Sequence, residues 1–332
     1  MLTLLLGAAL LFATIDRGWF PHDEGALGQS AERVLQGQVP HRDFDEIYTG
    51  LLSYLNAGAF ALGGIRLPVL RLPLFISALM WLAALYALTR RLVGPVGAAA
   101  LSLLALAWAV PNYPAAIPSW YNLFLATGGC LALIRWTETA GVRWLVLAGA
   151  LGGLSFLFKL SGLFFLAGAG LFLLEATRPE RPATAQGRRA WWLPLTITIG
   201  LGLFVLALWR SIAPVHDPSV VLHLFAPVGL LAFGLAVREW LPPAVEAGAR
   251  LNALFRAVGP LVLGAAMPVG AALGATAAGG AVDEVVSGVF AKPFRRLTFA
   301  TWPAPDVYWL VAVVPLILLL RPRRDHEAPA WR

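Results

Sequence analysis

Residues 49–65 read TGLLSYLNAGAFALGGI, and the placement of this run decides which side of a membrane everything after it occupies. The run is apolar enough to enter a bilayer. Asn56 and several glycines interrupt it, however, and Arg66 and Arg71 follow within a few residues. As a full span it would move every later loop to the opposite face. As a helix lying in the interface it would leave them where they are.

The composition makes the bilayer the right frame. Of the 332 residues, 59% are hydrophobic and only 13% charged, against about 25% charged in an average soluble domain. The mean hydropathy is +0.73. Apolar runs fall at 1–15, 68–89, 93–110, 120–134, 143–158, 160–174, 191–209, 220–237, 257–278 and 305–320. So many runs near the length that crosses a hydrocarbon core describe an all-α, polytopic integral membrane protein. The first, MLTLLLGAALLFATI, would extend only about 22 Å as a helix and has no basic start or small-residue cleavage site, so it does not read as a signal peptide. A net charge of +7 could suggest a nucleic-acid partner. The basic residues are instead scattered through short loops between apolar runs, which points to membrane orientation and to no nucleic acid. The single cysteine, Cys130, excludes an intramolecular disulfide.

Arginine bias resolves the opening question. With 49–65 in the interface, one side gathers Arg90, Arg91, Arg135, Arg143, the cluster from Arg178 to Arg189, Arg238, Arg250, Arg256 and the arginines from 321 to 324. These lie in short loops or tight clusters, so that side is cytoplasmic. The expected topology is about ten transmembrane helices, both termini inside and residues 16–67 outside. That first external loop is far longer than a connection needs to be. It collects Asp16, Asp23, Glu24, Glu32, Asp43, Asp45 and Glu46. Within it Leu27, Ala31, Val34 and Leu35 recur at helical spacing opposite Glu32, Arg33 and Gln36, the pattern of a short amphipathic helix on the bilayer. No nucleotide-binding, zinc-protease or redox motif is present, and two lone histidines, His22 and His41, do not make a metal site.

Several stretches together resemble a known family. The "DE" of WFPHDEG after the first span is followed by the amphipathic AERVLQGQVPHRDFDEIYTGLLSYLNAGAFALGG. Then RLPVLRLP opens a long span that ends in TRRLVG, and GALGGLSFLFKLSGLFFLAGAGLFLL pairs two spans at a lysine. In this order they resemble the GT-C membrane glycosyltransferases, specifically the protein O-mannosyltransferase and aminoarabinose-transferase group with its bacterial RgtA/B/C/D-like cousins. The resemblance covers residues 1–175 and implies a catalytic module there, within a single GT-C-like domain over 1–332 whose remaining spans, 176–332, agree only in architecture.

The resemblance implies transfer of a sugar from a polyprenyl-phosphate-linked donor to a glycan, lipid or protein acceptor at the external face of the plasma membrane, amid membrane lipids. The family's catalytic carboxylate matches Asp23, with Glu24 beside it, and its second acidic motif matches Asp45 and Glu46. Tyr48 follows that motif where some relatives carry a lysine. Chemistry of this kind needs a base for the acceptor hydroxyl and cations for the departing phosphate. Lys159 and Arg42 are the candidate cations in the matched region, and Arg295 and Arg296 lie beyond it. The second external loop, PNYPAAIPSWYN (111–122), lacks the carboxylate many relatives place there. No cofactor is fixed by this pattern, and a divalent metal, Mg or Mn, stays open. Two rival classes remain: a non-catalytic protein of the same fold that binds or flips polyprenyl lipids, and a secondary transporter. The latter calls for ionisable residues paired at mid-span, whereas the carboxylates here crowd into loops.

Overall fold

A computed structural model of the chain describes residues 1–178, 191–212, 221, 225–241 and 247–292. Among the described residues the chain is all-helical, with no β-strand. The helices are α1 (Leu2–Phe12), α2 (Ala26–Leu35), α3 (Leu51–Gly63), α4 (Leu67–Thr89), α5 (Pro95–Trp108), α6 (Pro118–Thr139), α7 (Val142–Phe158), α8 (Leu163–Ala176), α9 (Trp192–Ile212), α10 (Ala226–Trp240), α11 (Ala247–Ala278) and α12 (Val282–Val286). Nine of the ten apolar runs therefore form helices, and the tenth, 305–320, lies outside the described residues. Among the described residues three helices are long and apolar enough to cross a membrane, over Leu67–Thr89, Trp192–Arg210 and Gly248–Ala278. The apolar α1, α3, α5, α7 and α8 are shorter.

The chain divides into two compact units. The first takes in Met1–Phe172 and Ala257–Phe290 and so contains almost all of the stretch that carries the resemblance. Its core is made by Leu11, Leu52, Leu74, Phe75, Trp81, Leu82, Leu106, Tyr121, Phe124 and Phe158, drawn from α1 and from α3 to α7. Its outer surface is apolar as well: Leu62 is 93% exposed, Val96 81% and Trp108 78%. Exposed apolar surface on this scale is what a bundle presents to lipid rather than to water. The second unit, Leu173–Arg256, packs α9 against α10. Arg238 pairs with Glu175, and Arg250 donates to Glu239 at 2.6 Å and to the Thr177 hydroxyl at 2.9 Å.

The first unit has two chemically distinct ends. At one, Arg91 donates to Glu138 at 2.9 Å, tying the turn after α4 to the last turn of α6. At the other, Arg71 reaches the end of α1, Tyr113 donates to Asp23, Thr49 donates to the Leu157 carbonyl and Lys159 donates to Ser119. Both ends of α3 belong to this second end. Its start is tied through Thr49 to the end of α7, and Gly63 at its close packs directly on Val69 in the first turn of α4. Gly50 takes φ +101°, a conformation that costs glycine little, to turn the loop into α3. Both termini of the thirteen-residue α3 thus contact elements of this one end.

Small residues let α7 and α11 meet at backbone distance. A Cβ on Gly149 would run into the Leu261 carbonyl, one on Gly153 into that of Ala265, and one on Gly264 into that of Val146. Close approach through small residues is how helices associate where no hydrophobic gain separates lipid from protein. Gly149→Val should therefore force the two helices apart and cost about 1–3 kcal/mol. Gly168→Val, at a glycine with open space around it, should be tolerated. Thermal unfolding of the detergent-solubilised variants checks this contrast, and equal midpoints would refute the close contact.

Candidate functional site

The acidic end of the first unit is organised by one arginine. Arg71 sits in the second turn of α4 with its side chain fully buried. Its Nε donates to Glu24 Oε1 at 2.6 Å and its Nη2 to Oε2 at 2.9 Å, a two-point ion pair with neither partner exposed. The remaining N–H groups reach the carbonyls of Ile15 (3.0 Å), Arg17 (2.7 Å) and Gly18 (2.9 Å). All five guanidinium donors are thus filled. Glu24 also accepts from the Phe20 N–H at 2.9 Å. The chain leaving α1 is thereby folded back on α4, and Pro21 opens a single wide turn, Pro21–Gly25, that leads into α2.

Asp23 precedes Glu24 in that turn but points elsewhere. It is half-buried, and its Oδ2 accepts a hydrogen bond from the Tyr113 hydroxyl. Tyr113 comes from the loop between α5 and α6. Its ring packs on Phe20 with centroids 4.5 Å apart, and its carbonyl accepts from the Trp120 indole at 3.1 Å. The hydrogen bond to Asp23, then burial, pushes the Tyr113 phenol up to about 12. At neutral pH Tyr113 is therefore a hydrogen-bond donor. Among the described residues nothing hydrogen-bonds Asp23 Oδ1.

Tyr48 lies near both Asp23 and Lys159. Burial raises its phenol first, and the nearby charges of Asp23 and Glu46 add to the effect. Its ring also faces Lys159, whose Nζ lies 5.7 Å from the ring centroid, within cation–π range. Lys159 stands in extended conformation where α7 breaks before the Leu160–Gly162 turn that leads into α8. Its ammonium donates to Ser119 Oγ at 3.0 Å, and burial holds it below the usual lysine range. Among the described residues the other two N–H donors of that ammonium have no hydrogen-bond partner.

The other expected residues take different places. Glu46 is buried and faces inward, accepting from Ser53 Oγ at 2.6 Å and from the N–H groups of Ile47 and Tyr48 at 2.8 and 3.2 Å. It caps the loop that enters α3. Asp45 is exposed. Arg42, expected to meet the phosphate, forks onto the neighbouring Asp43 and donates to the Gly279 carbonyl at 2.8 Å. Arg42 in turn holds the Asp43 carboxyl below the usual carboxylate range. Glu24, expected beside Asp23 in the chemistry, has both oxygens occupied by Arg71. Arg295 and Arg296 lie outside the described residues. Among the described residues no three His, Cys, Asp or Glu side chains form a group that could hold a metal ion.

Arg71 and Tyr113 were the residues to find. Arg71 left one signal, an arginine inside an otherwise apolar helix, where a charge stays only if it is paired. Tyr113 left none, because a tyrosine in a loop of prolines has many uses. No family model, curated protein or solved structure matches the chain.

Removing one partner of a buried ion pair strands the other, at a typical cost of 3–5 kcal/mol. Arg71→Gln and Glu24→Gln should each lower the thermal stability of the purified protein strongly, by about that amount. Arg42→Ala, at an exposed pair, should leave it close to wild type. Similar midpoints for all three would show that the Arg71–Glu24 pair does not hold this end together.

Proposed function

We propose that the chain is a membrane glycosyltransferase of the GT-C type, moving a sugar from a polyprenyl-phosphate donor to an acceptor at the external face. It would cross the membrane about ten times, with α2 and α3 in the external interface. The observation that carries this reading is that one end of the first unit holds both a half-buried carboxylate, Asp23, whose Oδ1 meets no hydrogen-bond donor among the described residues, and a lysine, Lys159, whose ammonium has a single hydrogen-bond partner there. Tyr48 lies between their fields. The order of sequence motifs over residues 1–175 supports the same reading.

The chemistry follows from these groups. The acceptor hydroxyl lies against Asp23, which takes its proton as the oxygen bonds to the anomeric carbon of the sugar. The bond between that carbon and the phosphate oxygen breaks, and polyprenyl phosphate leaves with the electron pair. Lys159 faces the charge that develops on the phosphate. Tyr48 offers a flat apolar face next to the same ammonium. Glu24 and Glu46 act on loop geometry and not on the reacting atoms.

Asp23→Asn keeps the shape and can still accept the Tyr113 hydrogen bond, but it cannot take the proton. Sugar transfer should fall by roughly 10²–10⁴ while binding of the carrier lipid survives. Lys159→Ala should weaken carrier binding roughly ten- to hundredfold, as expected for loss of a charge-assisted contact. Both are checked by assaying transfer and lipid binding on the same purified samples. Lipid binding by the wild type without any transfer would favour a non-catalytic lipid-binding or flipping protein instead.

A further inference from the structure

The Arg71–Glu24 pair explains how the turn that carries Asp23 is held, but not how the Asp23 carboxylate itself is aimed. A carboxylate in a half-buried turn can rotate about its last bond and present either oxygen. In this protein the rotation is restrained from the opposite side of the site, by a residue sequence patterns do not single out.

We infer that Tyr113 is the positioning residue for Asp23: its hydroxyl occupies Oδ2 and leaves Oδ1 as the atom that takes the acceptor's proton. The inference rests on the glycosyltransferase reading and adds to it an atom and a partner. Three contacts make Tyr113 a rigid support. Its ring sits on Phe20 at 4.5 Å, its carbonyl is tied to the Trp120 indole at 3.1 Å, and its own N–H turns back to the Val110 carbonyl at 3.2 Å. Phe20 is fixed in turn, because its N–H donates to Glu24 Oε2. The buried ion pair and the phenol therefore converge on the same carboxylate, one through the backbone of the turn and one through the side chain. The loop 111–122, which lacks a carboxylate of its own, contributes instead a donor to the carboxylate of the first loop. A mere staple between two loops would serve stability alone. A support for the base must also change turnover when the fold is intact.

Two measurements on the full-length protein in detergent or nanodiscs separate these roles. The first compares wild type, Tyr113→Phe and Asp23→Asn in steady-state release of polyprenyl phosphate. The probes are synthetic polyprenyl-phosphate hexoses and pentoses, with a membrane extract supplying acceptors. The expected result for Tyr113→Phe is a kcat lower by roughly ten- to hundredfold, the scale of one hydrogen bond to a charged group, with KM for the donor near wild type. The second follows the six tyrosines by carbon-13 NMR at Cζ, with the Tyr113 signal assigned by elimination, from Tyr→Phe variants of the other five. That signal should titrate near 12 in wild type and move down toward the ordinary tyrosine value of about 10 in Asp23→Asn. If Asp23→Asn is inactive while Tyr113→Phe turns over like wild type, this inference is overturned and the functional reading stands. If the wild type cleaves no donor, or Asp23→Asn is as active as wild type, the functional reading falls and takes this inference with it. A Tyr113 titration indifferent to Asp23→Asn overturns the pairing even if Tyr113→Phe fails to fold.

Discussion

A guanidinium buried in an apolar bundle is tolerable only when every donor finds an acceptor and the charge finds a counter-ion. Arg71 meets both conditions with Glu24 and with three carbonyls from residues 15–18. That requirement dictates the path of the chain after α1. Three carbonyls must point at one spot, so the backbone curls, Gly18 adopts φ +69°, and Glu24 is drawn into the interior. Asp23, one residue earlier in the same turn, is left facing the other way. The site is thus a by-product of satisfying a buried charge, and two adjacent carboxylates acquire opposite duties.

Aromatic groups gather around Asp23 at the same end of the bundle. Tyr113 donates to one half-buried carboxylate, Phe20 and Trp120 hold Tyr113, and an ammonium stands across Tyr48. In such surroundings a charge interacts more strongly than it would in water, so few ionised groups suffice. Two arginines of this end are committed elsewhere: Arg71 to Glu24, and Arg42 to Asp43 and Gly279. This economy separates the residues able to meet a substrate from those that hold the loops.

Much of the fold was legible because hydrophobic length is a direct physical signal. Nine apolar runs became helices, and the broken run 49–65 became the short helix α3. The site was legible only in part. Asp23 and Lys159 entered the proposal through loop position and residue type together with the family resemblance, and Tyr48 through the resemblance alone. The split between Asp23 and Glu24 was not, because adjacent carboxylates look alike until a buried partner takes one of them. Arg42 misled for a related reason: Asp43 and a distant carbonyl claim its guanidinium, and neither contact follows from spacing. Tyr113 lies 90 residues from Asp23, a pairing fixed only by how α1, α4 and α6 pack.

The most direct test of a single donor site at this end of the bundle is a cryo-electron-microscopy structure with a non-cleavable polyprenyl-phosphonate sugar bound. The expected result places the phosphonate against Lys159 and the sugar's anomeric carbon toward Asp23 Oδ1, with the lipid tail along the apolar outer surface. A phosphonate bound away from Lys159, or a sugar out of reach of Asp23, would contradict the account.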